Sequence, residues 1–243
     1  MLRRRDTGES DRRLTLLTRN EGRMDVIAKG ARKAASRLAG VSDPLTVSQM
    51  SLAGGRRTAY LTQAQTLQSF RGLRQDFDRL SFGLSLAELV GAVSPLDQPV
   101  PEMYELLLQA LGLLEIHPKP LVVLVWAQMQ ALARSGFVPN FQECVVSGEP
   151  ITVADPFVSP HAGGFLSDGH AARFTDRFRV RAEVLYGLTR IGELDLPPAN
   201  LKFARESVAT LIPFWRAIAD YPIPATEALA PILAELEPLS ENK

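Results

Sequence analysis

The chain is poor in the features that announce an enzyme, a secreted protein or a membrane protein. It has one cysteine, Cys144, so no disulfide can form within it. Its longest apolar run, Leu121 to Ala127, is far too short to span a bilayer as a helix. The opening MLRRRDTGESD lacks the apolar stretch of a signal peptide, so the cytoplasm is the expected location. No nucleophile elbow, phosphate-binding loop, HExxH pair or dinucleotide-binding glycine fingerprint occurs. The three histidines, His117, His161 and His170, are scattered, and surface or capping roles describe them better than a general base does. A binding protein rather than an enzyme is expected. Aromatic residues are also missing from the first 69 positions, where Tyr60 is the only one. A single-strand binder that relies on base stacking needs several, so any nucleic-acid contact in this half should be made to the phosphate backbone.

What the chain does have is a divided charge. The total is zero, yet residues 1–80 carry 16 Lys/Arg against 8 Asp/Glu, and residues 81–243 carry 11 against 19. Such a division points to two modules, the first suited to a polyanion. Before residue 60 the cations include Arg12, Arg13, Arg19, Arg23, Lys29, Arg32, Lys33, Arg37, Arg56 and Arg57, our candidate DNA-binding set. Arginine forms bidentate contacts to phosphate and stays charged. The densest stretch is Glu21 to Arg37. Met24, Val26 and Ala28 alternate with Asp25, Ile27 and Lys29 as in a half-buried strand, Gly30 permits a turn, and Arg32, Lys33 and Arg37 follow among small residues. Taken alone, that segment reads equally as a phosphate-contacting loop and as a solvated charged surface.

The pattern of elements predicts an α+β chain. Strands are expected at Leu14 to Thr18, Glu21 to Ala28, Thr46 to Leu52 and Thr58 to Leu67, with a hairpin turn at Gly54-Gly55. Four to five short strands in about seventy residues suggest a small β-barrel of the OB or SH3 kind over 1–70. An all-α domain follows over 71–243. Its helices are expected after Phe70, at Glu102 to Leu114, Leu121 to Ser135, Arg177 to Ile191, Leu201 to Tyr221 with Asn200 as cap and a kink or break at Pro213, and Thr226 to Leu236. Leu121 to Ser135 is apolar nearly all round and should be the buried centre.

Residues 137–172 form a Pro- and Gly-rich loop insertion without helical period. Within it Cys144-Val-Val-Ser147 and Ser167-Asp-Gly-His170 have the outline of two metal knuckles. Structural zinc needs four Cys or His ligands, and only Cys144 and His170 qualify; His161 with Asp155 or Asp168 has nothing to fix a geometry. No cofactor is therefore expected. The loop should be held by its own hydrogen bonds and by Phe141, Val153, Phe157 and Phe165. Nearby, Arg173, Phe174, Arg177, Phe178 and Arg181 make a local cationic and aromatic cluster in an acidic half. On a shared helical start these residues could receive an acidic, Phe-terminated peptide, or they could be an ordinary solvated face.

Gly8-Glu9-Ser10-Asp11, Leu14 to Thr18, Glu21-Gly22, Ala28-Lys29-Gly30-Ala31-Arg32 and Ser36-Arg37, with Leu61-Thr62-Gln63-Ala64 further on, resemble the bacterial DNA repair RecO family. The resemblance implies an N-terminal OB-fold, then a helical domain with a zinc-binding insertion. It implies a recombination mediator in the cytoplasm, at the nucleoid, that binds single- and double-stranded DNA, anneals complementary strands and helps load recombinase. RecR and the acidic tail of single-strand DNA-binding protein are the implied partners, the tail docking in the helical domain. The residues it carries over are Arg12, Arg13, Lys29, Arg32, Lys33 and Arg37. The chain departs from the family where four knuckle cysteines are usual, having Cys144, Ser147, Ser167 and His170. It also begins several residues short of relatives at Leu2, and no resemblance is assigned after Leu196. The competing reading is a helical interaction adaptor whose basic barrel binds RNA or an acidic protein.

Overall fold

The computed structural model describes residues 1–34, 36–55 and 58–235. Contacts divide the chain into two compact units, Met1–His117 and a second beginning at Pro118.

The first unit is built on five strands: β1 (Arg3–Thr7), β2 (Asp11–Thr18), β3 (Gly22–Ala28), β4 (Val47–Gly55) and β5 (Thr58–Gln68). They lie in the order β1-β2-β3-β5-β4, antiparallel except for β3 beside β5. The two-residue alternation legible in Met24 to Ala28 is present: Val26 and Ala28 are buried and Asp25 is exposed. Leu14, Leu16, Val26, Ala28, Ala31 and Leu61 form the core on that side of the sheet. Each large side chain removed from water there contributes about 1.5–3 kcal/mol.

The expected barrel is not closed. Among the described residues β1 and β4 remain the two edges of an open sheet. At their starts the Met1 ammonium donates to Thr46 O (2.8 Å) and Leu45 N–H to Met1 O (3.0 Å), but no ladder follows. The physical reason lies in β1 itself. Its sequence RRRDT has no apolar side chain to bury against β4, so closing the seam would desolvate charge.

Two helices belong to the same unit. After a 3-10 turn at Arg71–Gln75, Asp76 caps α1 (Phe77–Val93) by accepting the Arg79 N–H at 3.0 Å. α2 (Pro101–Ile116) starts on a proline, whose missing N–H costs nothing in a first turn. The connection between these helices is tied to the sheet: Asp97 N–H donates to Arg23 O, and Gln98 presses on the β2–β3 turn at Gly22 (φ +73°), where a Cβ would sit 1.8 Å from the Gln98 oxygen.

In the second unit, α3 (Pro120–Ser135) is central as expected, with Val122 to Ala127 buried. It ends on the left-handed Gly136. A three-stranded sheet follows, from β6 (Phe157–Ser159), β7 (Gly164–Leu166) and β8 (Phe178–Arg179) in the order β7-β6-β8, with a one-turn helix α4 (Asp168–Ala171). Then come α5 (Ala182–Gly192), α6 (Ala204–Ile218), α7 (Pro224–Glu227) and α8 (Leu229–Glu235).

Four expectations are corrected here. The helix expected from Arg177 begins only at Ala182, because residues 178–182 pair with 154–158 as an extended ladder. Asn200 does not cap α6; its Oδ1 accepts from Lys119 Nζ (2.8 Å), and left-handed Phe203 precedes the helix. Of the kink or break expected at Pro213, the break does not occur: α6 runs through it. The roughly 3 kcal/mol cost of an interior proline is offset by the burial of its neighbours Phe214 and Trp215. Phe214 meets Phe141 edge-on at 5.4 Å, and Trp215 Nε1 donates to Gln128 Oε1 at 2.8 Å. The last expected helix is two short ones, and its end at Leu236 lies outside the described residues.

Candidate nucleic-acid interface

The ten expected cations of the first unit divide by what they touch. Arg12 is four-fifths buried and works inside the fold. Its Nη1 donates to Ser42 Oγ (2.6 Å) and Ala39 O (3.3 Å), and its Nε lies 3.4 Å from Asp6 Oδ1. Arg23 Nη1 donates to Gly91 O at 2.6 Å, fastening β3 to α1. Arg19 pairs with Glu105 of α2 at 3.1 Å. Arg32 holds the β1–β2 turn through Gly8 O and Glu9 O, and shares Asp6 with Arg12 at 3.4 Å. Arg12, Arg23 and Arg32 are thus committed to packing and turn geometry, while Arg19 sits in an exposed ion pair. Arg13, Lys33 and Arg37 are exposed, and no carboxylate pairs with them among the described residues. Arg56 and Arg57 lie outside the described residues.

Strand register brings forward a residue that spacing along the chain did not. Arg5 is directly opposite Arg13, Arg13 opposite Ile27, and Ile27 opposite Tyr60. These four side chains make one row across β1, β2, β3 and β5, on the face opposite the core. Lys29 completes it, its Nζ 4.5 Å from the centre of the Tyr60 ring. Arg5 has no carboxylate partner among the described residues either. Like charges facing each other across two strands cost stability, up to about 1 kcal/mol per pair. Two acids on this face are engaged elsewhere: Asp11 accepts from Gly30 N–H at 2.8 Å, and Asp25 accepts from Thr15 at 2.7 Å in the neighbouring row. The arrangement is thus an unneutralised cation row with one aromatic ring, able to take an anion in bidentate fashion. The signal for Arg5 was present in the sequence only as its pairing distance across the tight β1–β2 turn, and the signal for Tyr60 only as its isolation among non-aromatics.

In the second unit the two expected knuckle segments lie in loops closed by backbone hydrogen bonds. Asn140 N–H donates to Gly163 O and Phe165 N–H to Asn140 O; Cys144 N–H donates to Glu149 O (2.7 Å) and Gly148 N–H back to Cys144 O. The side chains do not fit zinc. Ser167 N–H donates to Cys144 Sγ at 3.3 Å, and Ser167 Oγ lies 3.0 Å from His170 Nδ1. The Ser147 hydroxyl has both the thiol and Glu149 Oε2 (3.0 Å) within reach. Burial works to raise the Cys144 thiol pKa, but the hydroxyls and N–H groups of Ser147 and Ser167 outweigh it and bring the thiol down to about 6. His161 is turned to Asp176 instead, at 3.5 Å. Burial opposes ionisation of Asp176, yet hydrogen bonds from His161 N–H and Ser159 Oγ hold it below the usual carboxylate value. Among the described residues no three of His, Cys, Asp and Glu converge as a metal would require.

Arg173, Phe174, Arg177, Phe178 and Arg181 do not share the helical face expected of them. Their segment precedes α5, and in its extended part Phe178 lies opposite Val158 while its neighbours Arg177 and Arg179 take the other face. No helix among the described residues is long and apolar enough to cross a membrane.

Residues 1–70 match the family model "Recombination protein O N terminal" and residues 74–224 match "Recombination protein O C terminal". The chain belongs to the RecO family. The match to residue 224 extends the likeness beyond Leu196, the last residue to which the motifs assign it. A DNA repair protein RecO of Heliobacterium modesticaldum is 41% identical over 199 residues, covering 80% of this chain and 72% of its own. One of Gloeobacter violaceus is 36% identical over 202 residues, covering 82% and 77%. A third, of Synechococcus, is 33% identical over 204 residues, covering 78% and 67%.

Proposed function

We propose that this RecO-family DNA repair protein acts as a recombination mediator. It binds single- and double-stranded DNA through phosphate contacts, anneals complementary strands and helps load recombinase together with RecR and single-strand DNA-binding protein. It is a binding protein rather than an enzyme, works in the cytoplasm at the nucleoid, and carries no metal. The observation that supports this reading most directly is the cation row Arg5–Arg13 with Lys29 over Tyr60, on the face opposite the core, with which no carboxylate pairs among the described residues. A fold that tolerates repulsion between facing arginines is suited to a ligand that neutralises them. Lys33 and Arg37 extend the same charge into the loop after β3.

The test is binding of a fluorescein-labelled oligothymidylate to the full chain and to Arg5→Glu with Arg13→Glu. The double variant is expected to bind at least tenfold more weakly at moderate salt. The slope of log K against log salt should fall by about 1.4, two phosphate contacts at roughly 0.7 each on a single strand. Unchanged affinity and slope in a variant that melts like the parent would remove DNA from this face. Retained DNA binding with lost binding to an acidic protein would favour an adaptor.

A further inference from the structure

The second unit carries cations that this reading does not use. Residues 173–181 hold four arginines and one acid, Asp176, in an otherwise acidic half. That acid is occupied by Ser159 Oγ and His161 N–H, each at 2.8 Å. Arg173, Arg177, Arg179, Arg181 and the neighbouring Lys202 are all exposed, and none is paired with a carboxylate among the described residues.

The backbone lines three of them up. Phe157 faces Arg179 in the β6–β8 ladder, and the pairing continues through Val180 N–H to Pro156 O (3.0 Å) and Ala182 N–H to Ala154 O (2.7 Å). In extended chain, residues two apart share a face at steps of about 6.8 Å. Arg177, Arg179 and Arg181 therefore point one way, while Phe178 and the buried Val180 point the other. The row is also held. The Arg179 and Arg177 guanidinium groups lie 4.0 and 5.6 Å from the centre of the Phe157 ring, and Arg181 and Lys202 lie 5.4 and 4.8 Å from that of Phe203. Arg177 Nη1 donates to Phe174 O (2.8 Å) and Arg179 Nη1 to Asp155 O (2.6 Å). Arg177 and Arg179 each spend one donor on a carbonyl and one face on a ring, and Arg181 one face on a ring, so most N–H donors of these exposed side chains remain for a ligand.

We propose that the Arg177–Arg179–Arg181 row, with Lys202, is a second nucleic-acid backbone site that takes the phosphates of a strand other than the one held by the first unit. Forks repeated at a regular step suit a repeating anion. Both rings are covered by their own cations, so the row offers no apolar slot for an aromatic peptide end. The inference rests on the DNA-binding reading above and deepens it: annealing brings two polyanions together, and each needs neutralising.

The test compares the full chain with Arg177→Gln plus Arg179→Gln, and separately with Lys202→Gln, which sits on a different segment. Circular dichroism melts check folding. Titration with a short oligothymidylate at low salt counts the strands bound, and mixing two complementary oligonucleotides measures annealing. The parent is expected to bind two equivalents. The double variant should keep the first within twofold of the parent affinity, lose the second, and anneal at least tenfold more slowly, with a smaller annealing loss for Lys202→Gln. A double variant that still binds two equivalents and anneals normally overturns the inference. So does one that loses only binding to an acidic peptide, since the row would then serve a protein partner. A parent that binds one equivalent sinks this inference alone, and a parent that binds none sinks the DNA reading itself.

Discussion

Single side chains separate cations that build the first unit from cations free to bind. Arg12 and Arg23 would look like DNA contacts by charge alone, yet their donors end on Ser42, Ala39 and Gly91 within the fold. Replacing either should lower the melting temperature as well as any binding, whereas Arg13→Glu should lower binding alone; thermal melts beside titrations distinguish the two. At Cys144 the linked quantity is pH. A thiol whose pKa falls from 9.0 to about 6 on folding stabilises the folded chain fully above pH 9, and that contribution is lost as pH falls through 6. The melting temperature of the parent relative to Cys144→Ser should therefore rise between pH 6 and 9. A difference that stays flat across that window would mean the thiol is not ionised by its serine neighbours.

At the scale of elements, two turns carry the geometry. Gly22 sits at φ +73° with the Gln98 carbonyl pressed against it, so Gly22→Ala has both backbone strain and a clash with backbone that cannot step aside. A loss of about 2 kcal/mol or more is expected in urea unfolding, and a loss below 0.5 kcal/mol would mean the helix connection does not rest on this turn. The knuckle is the second. Its hydroxyls at Ser147 and Ser167 lie beside Cys144 and His170. Ser147→Cys with Ser167→Cys would assemble three thiolates and His170, a ligand set structural zinc accepts. Elemental analysis should find about one zinc per chain in the double variant and none in the parent; one equivalent in the parent would refute the metal-free reading.

For the molecule as a whole, charge division matters more than net charge. A chain of zero net charge would not be suspected of binding a polyanion, but its first 80 residues carry twice as many cations as acids. If Arg5, Arg13, Lys33 and Arg37 each meet one phosphate of a single strand, a fourfold rise in salt should weaken binding by about 50-fold. A dependence much flatter than this would mean that stacking or apolar contact carries the affinity, contrary to the scarcity of aromatics. How the strands would divide between the two units is the question the Arg177–Arg181 row raises.

Much of this was legible in the residues in order. Period-two and helical patterning placed four strands and the central helix, because burial of a face imposes its period on the chain. The serines at 147 and 167 set only an expectation about zinc, which the elemental analysis tests. The charge division and the family motifs in the first forty residues pointed to DNA. The tertiary structure decided what non-local pairing controls. Register set Arg5 and Arg13 of one hairpin in a row with Tyr60, which is distant in the chain. Pairing with 154–158 turned 178–182 into extended chain where local spacing read a helix, and so aligned Arg177, Arg179 and Arg181. The polarity of β1 left the sheet open. Local propensity is a property of neighbours in sequence, whereas a binding surface is made of neighbours in space, and only the fold says which residues those are.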